Sequence, residues 1–446
     1  MRARLVIAPY MSSLILPLEN RLTEGRALRV NAQLRTWWLA ALSLLVALMP
    51  LSFAVSWHVK VLPATLLLLA GLGLLLSSPA TRRSFANARL VVVACALALL
   101  YPALNILGHR LGWNTFDRPS HILLYMATAA VFSLPLRMRW VWIGYSLTAI
   151  LLGTVCIVQH YVFGIARAYG LNGGDWGAIE FAMFMLSLSL MATVQVFHAT
   201  ASRPEKALHA AAAVFGMYGA LLTQSRGPLL AFVPIFLLLL LTYARRTGHW
   251  RRSLLLIVVV VCGGVLAGAS VHGVVLDRFA AVGSEMASYD HHTDATGAVR
   301  ERLEMWRTAG HAILDHPLEG VGIDQFGVYV RQQVASGHAN PVISKYDHPH
   351  SEYLEWAATG GVPGLLVLLS IFGLPLVYFA RHARQADSTV MVAAYAGLAV
   401  VGMYALCAFS DNVFYRAMPH SLYFFLVLGL AVLIGSRTPA NEAFAR

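Results

Sequence analysis

Charge is what this chain has least of. Only 12% of its 446 residues are Asp, Glu, Lys or Arg, against roughly a quarter in soluble domains. Hydrophobic residues make up 58%, the mean hydropathy is +0.65, and runs such as Leu66 to Leu76 and Leu229 to Leu241 exclude a water-soluble core. Cysteine is scarce too. All four (Cys95, Cys156, Cys262 and Cys407) fall within apolar runs, which excludes a disulfide framework. No internal repeat of fixed period and no low-complexity linker divides the chain. The opening residues lack an apolar core followed by a small-residue cleavage site, so residues before Thr36 are expected to form an uncleaved tail.

What is abundant is span-length apolar sequence, at about 20 residues per crossing. Twelve spans are expected, near 36–57, 61–79, 88–108, 120–136, 139–160, 179–200, 206–223, 228–244, 252–272, 362–380, 388–409 and 416–436. The fold class is therefore an all-α polytopic membrane protein with one large, mostly helical loop. It divides into a tail (1–35), spans one to nine (36–272), a polar loop (273–361), spans ten to twelve (362–436) and a second tail (437–446). The side carrying both termini holds 21 of the 33 Lys and Arg, and the opposite short loops hold six. That asymmetry puts the termini in the cytoplasm and the long loop outside. It also accounts for the net charge of +12 as topology rather than as a nucleic-acid surface.

The polar loop concentrates what the spans lack. From His272 to Gly361 lie eight of the 17 His and 12 of the 21 Asp and Glu. Chains that only cross a membrane do not need such a segment. Two short outward loops are polar as well: His109 to Ser120, containing Asp117-Arg-Pro-Ser120, and Arg167 to Trp176, a glycine-rich turn through Asn172 and Asp175.

Three constellations hold residues suited to chemistry. Thr223-Gln-Ser225-Arg226-Gly-Pro228 joins two apolar runs on the outer side. Pro228 suits the first turn of the next helix, whose free amides and positive end would stand beside Ser225 and the Arg226 guanidinium. Such an arrangement can hold a phosphate or diphosphate. The plainer alternative is an arginine snorkelling to lipid headgroups.

Farther along, Arg300-Glu-Arg302-Leu-Glu304-Met-Trp306-Arg307 opens a helix with Leu303, Trp306, Ala309, Gly310 and Ile313 on one face. Arg300, Arg302 and Arg307 either face a membrane-side cavity or belong to a solvated face balanced by Glu301 and Glu304. Last comes Asp347-His348-Pro349-His350-Ser351-Glu352. A histidine there can take a proton near neutral pH or orient a hydroxyl, with Glu352 or Glu355 polarising it. Zinc is the rival, using His348, His350, His291, His292 and Asp294, but the spacing matches no strict ligand motif.

Taken together and in order, these residues resemble the family of bacterial O-antigen ligases and the related polymerases and protein O-oligosaccharyltransferases. Its outer-loop signature is His, then Asn, Ser or Gln, nine residues, Gly, two residues, Gly; His350-Ser351, Glu352 to Gly360, Gly361 and Gly364 fit it. Ser225-Arg226-Gly227 is similar to the family's mid-chain Ser-Arg-Gly. Arg302 to Trp306 and Pro317 to Gly322 resemble its loop pattern, and Asp117 to Ser120 resembles a pattern associated with the ligases. One departure is Leu365-Leu366, where the ligase pattern often has Thr and Tyr.

The resemblance implies glycosyl transfer at the outer face of a Gram-negative inner membrane. The donor would be a polysaccharide on undecaprenyl diphosphate and the acceptor a sugar hydroxyl of lipid A–core. It implies that Arg226 and Arg302 neutralise the leaving diphosphate and that His350 orients or deprotonates the acceptor. Ser225, Arg300, Arg307, His348 and Glu352 are further candidates for substrate contact. Inversion at the anomeric carbon is expected, with no cofactor, no metal and no nucleotide. A proton-coupled transporter is the distant alternative. Against it, the spans hold few ionisable groups beyond Glu180, His198 and His209, all near span ends.

Overall fold

The computed structural model describes residues 18–55, 57–171, 177–198, 200–248, 250–251, 254–255, 257–258, 286–289 and 295–438. Among these residues every regular element is helical. A chain in hydrocarbon must satisfy each backbone polar group internally, and helices do so within one segment. In chain order the helices before the loop are α1 (Leu18–Val55), α2 (Trp57–Ser77), α3 (Pro79–Asn87), α4 (Arg89–Gly108), α5 (Asp117–Ala129), α6 (Met138–Tyr161), α7 (Ala178–Val196), α8 (Arg203–Leu222) and α9 (Arg226–Thr247). The loop contributes α10 (Ala298–Asp315) and α11 (Phe326–Ala335), followed by α12 (Glu352–His382), α13 (Ser388–Cys407) and α14 (Ala417–Arg437).

Eight of the described helices are long and apolar enough to cross a membrane: α1, α4, α6, α7, α9, α12, α13 and α14. The expected span at 61–79 is a bent pair, in which Val61–Ser77 and Pro79–Asn87 meet at 98°. The segment expected at 120–136 is the short helix α5, continued by a 3-10 turn over Ala130–Ser133. The one expected at 206–223 is α8, whose first turn carries Arg203, Glu205 and Lys206. The span expected at 252–272 lies largely outside the described residues, as do Asn172, Asp175, Trp176, His291, His292 and Asp294.

Helices α7 and α14 are buried almost throughout and form the centre of the bundle. Leucines on α2, α4 and α9, such as Leu69, Leu100 and Leu238, stay exposed on the outside, as a lipid-facing surface requires. Small residues set the closest crossings: a Cβ on Gly219 would stand 3.1 Å from the Cα of Gly153, where α6 meets α8.

The loop has a small apolar core of its own, formed by Met305, Ala309, Ala312, Phe326, Val330 and Ile343 with Ala358 of α12. Its leading helix presents only part of the face that the apolar spacing predicts: Ala309 is in the core and Ile313 packs against it. Glu301, Glu304, Met305, Thr308, Ala309 and Ala312 turn inward, while Trp306 is exposed and Gly310 half-buried. Nor do the acids form a solvated face. Tyr346 and Lys345 hold Glu301; Tyr289, Arg307 and the amide of Asn340 hold Glu304. Burial alone would raise both carboxyl pKa values, but these donors outweigh it and hold them below the ordinary range.

Where the loop meets the bundle, α12 is broken at Gly361, whose φ of 62° and ψ of −165° are not helical. The break frees backbone groups that the segment 317–322 satisfies: Val321 and Gly322 donate to Ala358 and Thr359 carbonyls at 2.9 Å, and Val362 donates to Pro317 at 2.8 Å. A Cβ at Gly361 would lie 2.6 Å from the Leu318 carbonyl, so only glycine fits that conformation and that contact. The glycines of the two loop motifs thus serve one joint, which sets the height of His350 above the bundle.

Candidate active site at one end of the bundle

His350 sits at the end of a turn that is fixed from two sides. Trp306 of α10 donates its indole N–H to the Pro349 carbonyl at 3.0 Å. The amide of Glu352 donates to the Ala408 carbonyl at 2.9 Å, tying the turn to the loop between α13 and α14. His350 itself has a φ of 52°, an uncommon conformation for a residue with a side chain. Such a backbone persists where its surroundings over-determine it, and it clusters at functional sites.

The partner of His350 is Asp411, which comes from the short loop after α13: Nδ1 and Oδ1 are 3.1 Å apart. Burial alone would raise the Asp411 pKa. The hydrogen bond and charge of His350, the amide of Asn412 and the Arg302 guanidinium outweigh that and hold it below the ordinary range. An ionised Asp411 accepting at Nδ1 assigns the proton to that nitrogen and leaves Nε2 as the basic one. Asp411 bears no motif of its own and is the main residue that sequence reasoning misses. Its only signal is an acid in a very short outward loop.

His348 lies beside this pair, with ring centroids 4.6 Å apart, and packs 4.2 Å from the Tyr415 ring. Burial first, then the neighbouring His350, pushes its pKa down to about 4, so it is neutral at pH 7. Ligand atoms of His348, His350 and Asp411 all lie within 4.8 Å of one another, a donor set that fits a divalent ion.

The Arg226 turn reaches the same loop from another side. Gln224 is left-handed at φ 57°, and α9 begins at Arg226 without a side-chain cap from Ser225. Arg167 braces this turn, donating to the Thr223 carbonyl at 3.0 Å and to Ser225 Oγ at 3.5 Å. A Cβ on Gly227 would stand 2.5 Å from Ser410 Oγ, so the glycine permits contact with the Asp411 loop. Pro228, Glu180, Ser410, Asp411 and Asn412 line one crevice there, and Arg416 pairs with Glu180 at 2.6 Å.

The expected residues therefore divide. His350 and His348 meet Asp411 and Tyr415 respectively, the turn that carries Ser225 and Arg226 touches the same loop through Gly227 and Ser410, and Arg302 acts on Asp411 through its charge. Arg300 is half-buried in the first turn of α10. Arg307 is engaged within the loop, bonded to Glu304 at 2.9 Å and to the His338 carbonyl at 2.6 Å. Glu352 is buried, and its carboxylate accepts from Trp356 Nε1 at 2.7 Å and the amide of Phe414 at 3.0 Å. It braces the site rather than polarising His350.

A protein of Haemophilus influenzae described as uncharacterized is 21% identical over 283 residues, covering 63% of this chain and 69% of that protein. The O-antigen ligase family model matches residues 211–369. That window holds the Arg226 turn, the arginine helix α10, His350 and the glycine break of α12. The match shows that this segment of the chain is similar to the O-antigen ligase family.

Proposed function

We propose that the protein is an O-antigen ligase, transferring a polysaccharide from undecaprenyl diphosphate to a sugar hydroxyl of lipid A–core. The observation that carries this reading is the His350–Asp411 pair, set between the Arg226 turn and the Arg302 helix. Two lipid-tailed substrates explain why the catalyst is embedded in a bilayer. The distribution of charge supports a cytoplasmic location for the end opposite His350, where Arg137, Arg139, Arg203, Lys206, Arg381 and Arg437 lie, and hence a periplasmic site.

In this mechanism the acceptor hydroxyl attacks the anomeric carbon. The bond from that carbon to the diphosphate oxygen breaks, and its electron pair leaves with undecaprenyl diphosphate. The hydroxyl proton passes to His350 Nε2, while Asp411 stabilises the resulting imidazolium, a base contribution worth roughly 10²–10⁴-fold. Arg226 and Arg302 neutralise the departing diphosphate, each worth about 10²–10³-fold if its contact strengthens in the transition state. In-line attack inverts the anomeric carbon.

The lipopolysaccharide of a deletion strain tests the reading. A ligase leaves long polymer on undecaprenyl diphosphate and bare core on lipid A. Core bearing a single repeat would indicate a polymerase instead. Unchanged lipopolysaccharide with unglycosylated exported proteins would indicate a protein-directed enzyme.

A further inference from the structure

A second cavity, mostly apolar with a few polar groups, lies beside the His350 site, between α4, α5, α12 and α14. It measures about 100 Å³, and Tyr101, Arg118, Glu355, Trp356, Asn412 and His420 are among its lining residues. Liquid water occupies about 30 Å³ per molecule, so the space suits roughly three waters or one edge of a sugar ring. Three of its side-chain atoms have no hydrogen-bond partner among the described residues: Glu355 Oε2, Asn412 Oδ1 and His420 Nδ1. Asn412 and His420 are only 3% and 5% exposed, so these are buried groups with an unmet need for partners.

The chemistry of the lining selects a class of ligand. The amide oxygen accepts, and the carboxyl oxygen and the ring nitrogen can each accept or donate, so hydroxyl groups, which do both, can meet all three. Trp356 and Tyr101 stack at 6.4 Å with 26° between planes and offer a flat wall, and Glu352 fixes the indole. Arg118 closes the mouth, 4.5 Å over the Tyr415 ring and 3.9 Å from Asp324. A neutral ring carrying several hydroxyls matches both the acceptors and the aromatic wall.

Position then assigns the substrate. Asn412 lines this cavity and also the crevice that holds Pro228 and Asp411. The Arg226 turn therefore meets the 410–413 loop from the α9 side, and the cavity meets it from the α4 and α5 side. In-line displacement needs its nucleophile and leaving group on opposite faces of the reacting carbon. We propose that the cavity is the acceptor-sugar subsite: it holds the hydroxyl-bearing edge of one monosaccharide of the glycolipid acceptor and presents a neighbouring hydroxyl to His350. The inference rests on the ligase reading and names where its second substrate binds.

The test uses the full chain in lipid nanodiscs with lipid-linked donor and core acceptor. Glu355→Gln and His420→Phe should each raise KM for the acceptor about tenfold, the loss of a buried hydrogen bond, with donor KM within twofold of wild type. A raised donor KM, or a fall in kcat with both KM values unchanged, would overturn the assignment. A readout on the wild type needs no variant to fold and no turnover. Deacylated core oligosaccharide, without donor, should slow deuterium uptake at residues 412–420 and leave 223–230 unchanged. No protection at 412–420 overturns the subsite. Protection there in a protein that transfers no glycan to core would leave the cavity standing and defeat the ligase reading.

Discussion

The two ends of this bundle are built by different rules. At the end away from His350, three helices start with side-chain caps, while α4 and α6 start there without one. Ser78 accepts from Thr81 at 3.2 Å, Asp387 accepts from Thr389 at 2.7 Å, and Ser202 with Glu205 forms a reciprocal capping box. At the His350 end, α5, α7, α9, α12 and α14 all begin without a side-chain cap. The four non-glycine residues with positive φ among the described residues (Arg110, Gln224, Asp324 and His350) also lie in loops at that end. Caps stabilise helices by local chemistry alone. Uncapped amides and left-handed residues cost stability and keep polar groups available for a ligand. Among the described residues, the side-chain caps of the α-helices are confined to one end, and the left-handed non-glycine residues to the other.

Mutations at the two ends should separate along this line. The largest effect is expected for His350→Ala or Asp411→Asn, each lowering kcat by roughly 10²–10⁴-fold, with little change in Tm. Arg226→Ala should follow at about 10²–10³-fold, and Arg302→Ala in the same direction. A smaller effect of the opposite kind is expected at the capped end. Ser202→Ala should cost about 1 kcal/mol of stability and lower Tm, while turnover per folded molecule stays at the wild-type value.

Smallest is a pH effect on folding. The unfolded His348 takes up a proton near its ordinary value of 6.5, whereas the folded one resists it down to about 4. Between those values the unfolded chain binds more protons, so stability falls as pH is lowered through the window and levels off below it. Denaturation midpoints recorded from pH 7 to pH 4 should show this fall, and His348→Phe should flatten it.

The same contrast explains what the sequence makes legible. The helices are legible because apolar length is a local property, and the Arg226 turn and His350 are legible because motif residues lie close together in the chain. Gly361 and Gly364 are readable as glycines, although their reasons are tertiary: a break in α12 that the segment 317–322 satisfies for Gly361, and close packing against the Trp356 carbonyl and the Tyr101 ring for Gly364. Asp411 is not legible, since its meaning comes from a contact with His350 61 residues away. Nor is the inward turn of Glu301 and Glu304, whose partners Lys345, Tyr346 and Asn340 come from beyond the helix. Periodicity places apolar residues on a face and has no information about buried acids with distant donors.

The metal question is settled by the same assay that tests the centre of the account. Purified protein in nanodiscs, given lipid-linked donor and core acceptor in the presence of chelator and without nucleotide, is followed for transferred glycan. The account predicts product from the wild type, undiminished by chelator, and loss of product in His350→Ala and Arg226→Ala while both variants melt as the wild type does. Full activity in those two variants would contradict the site. Activity abolished by chelator and restored by a divalent ion would instead assign His348, His350 and Asp411 as ligands and contradict the metal-free mechanism.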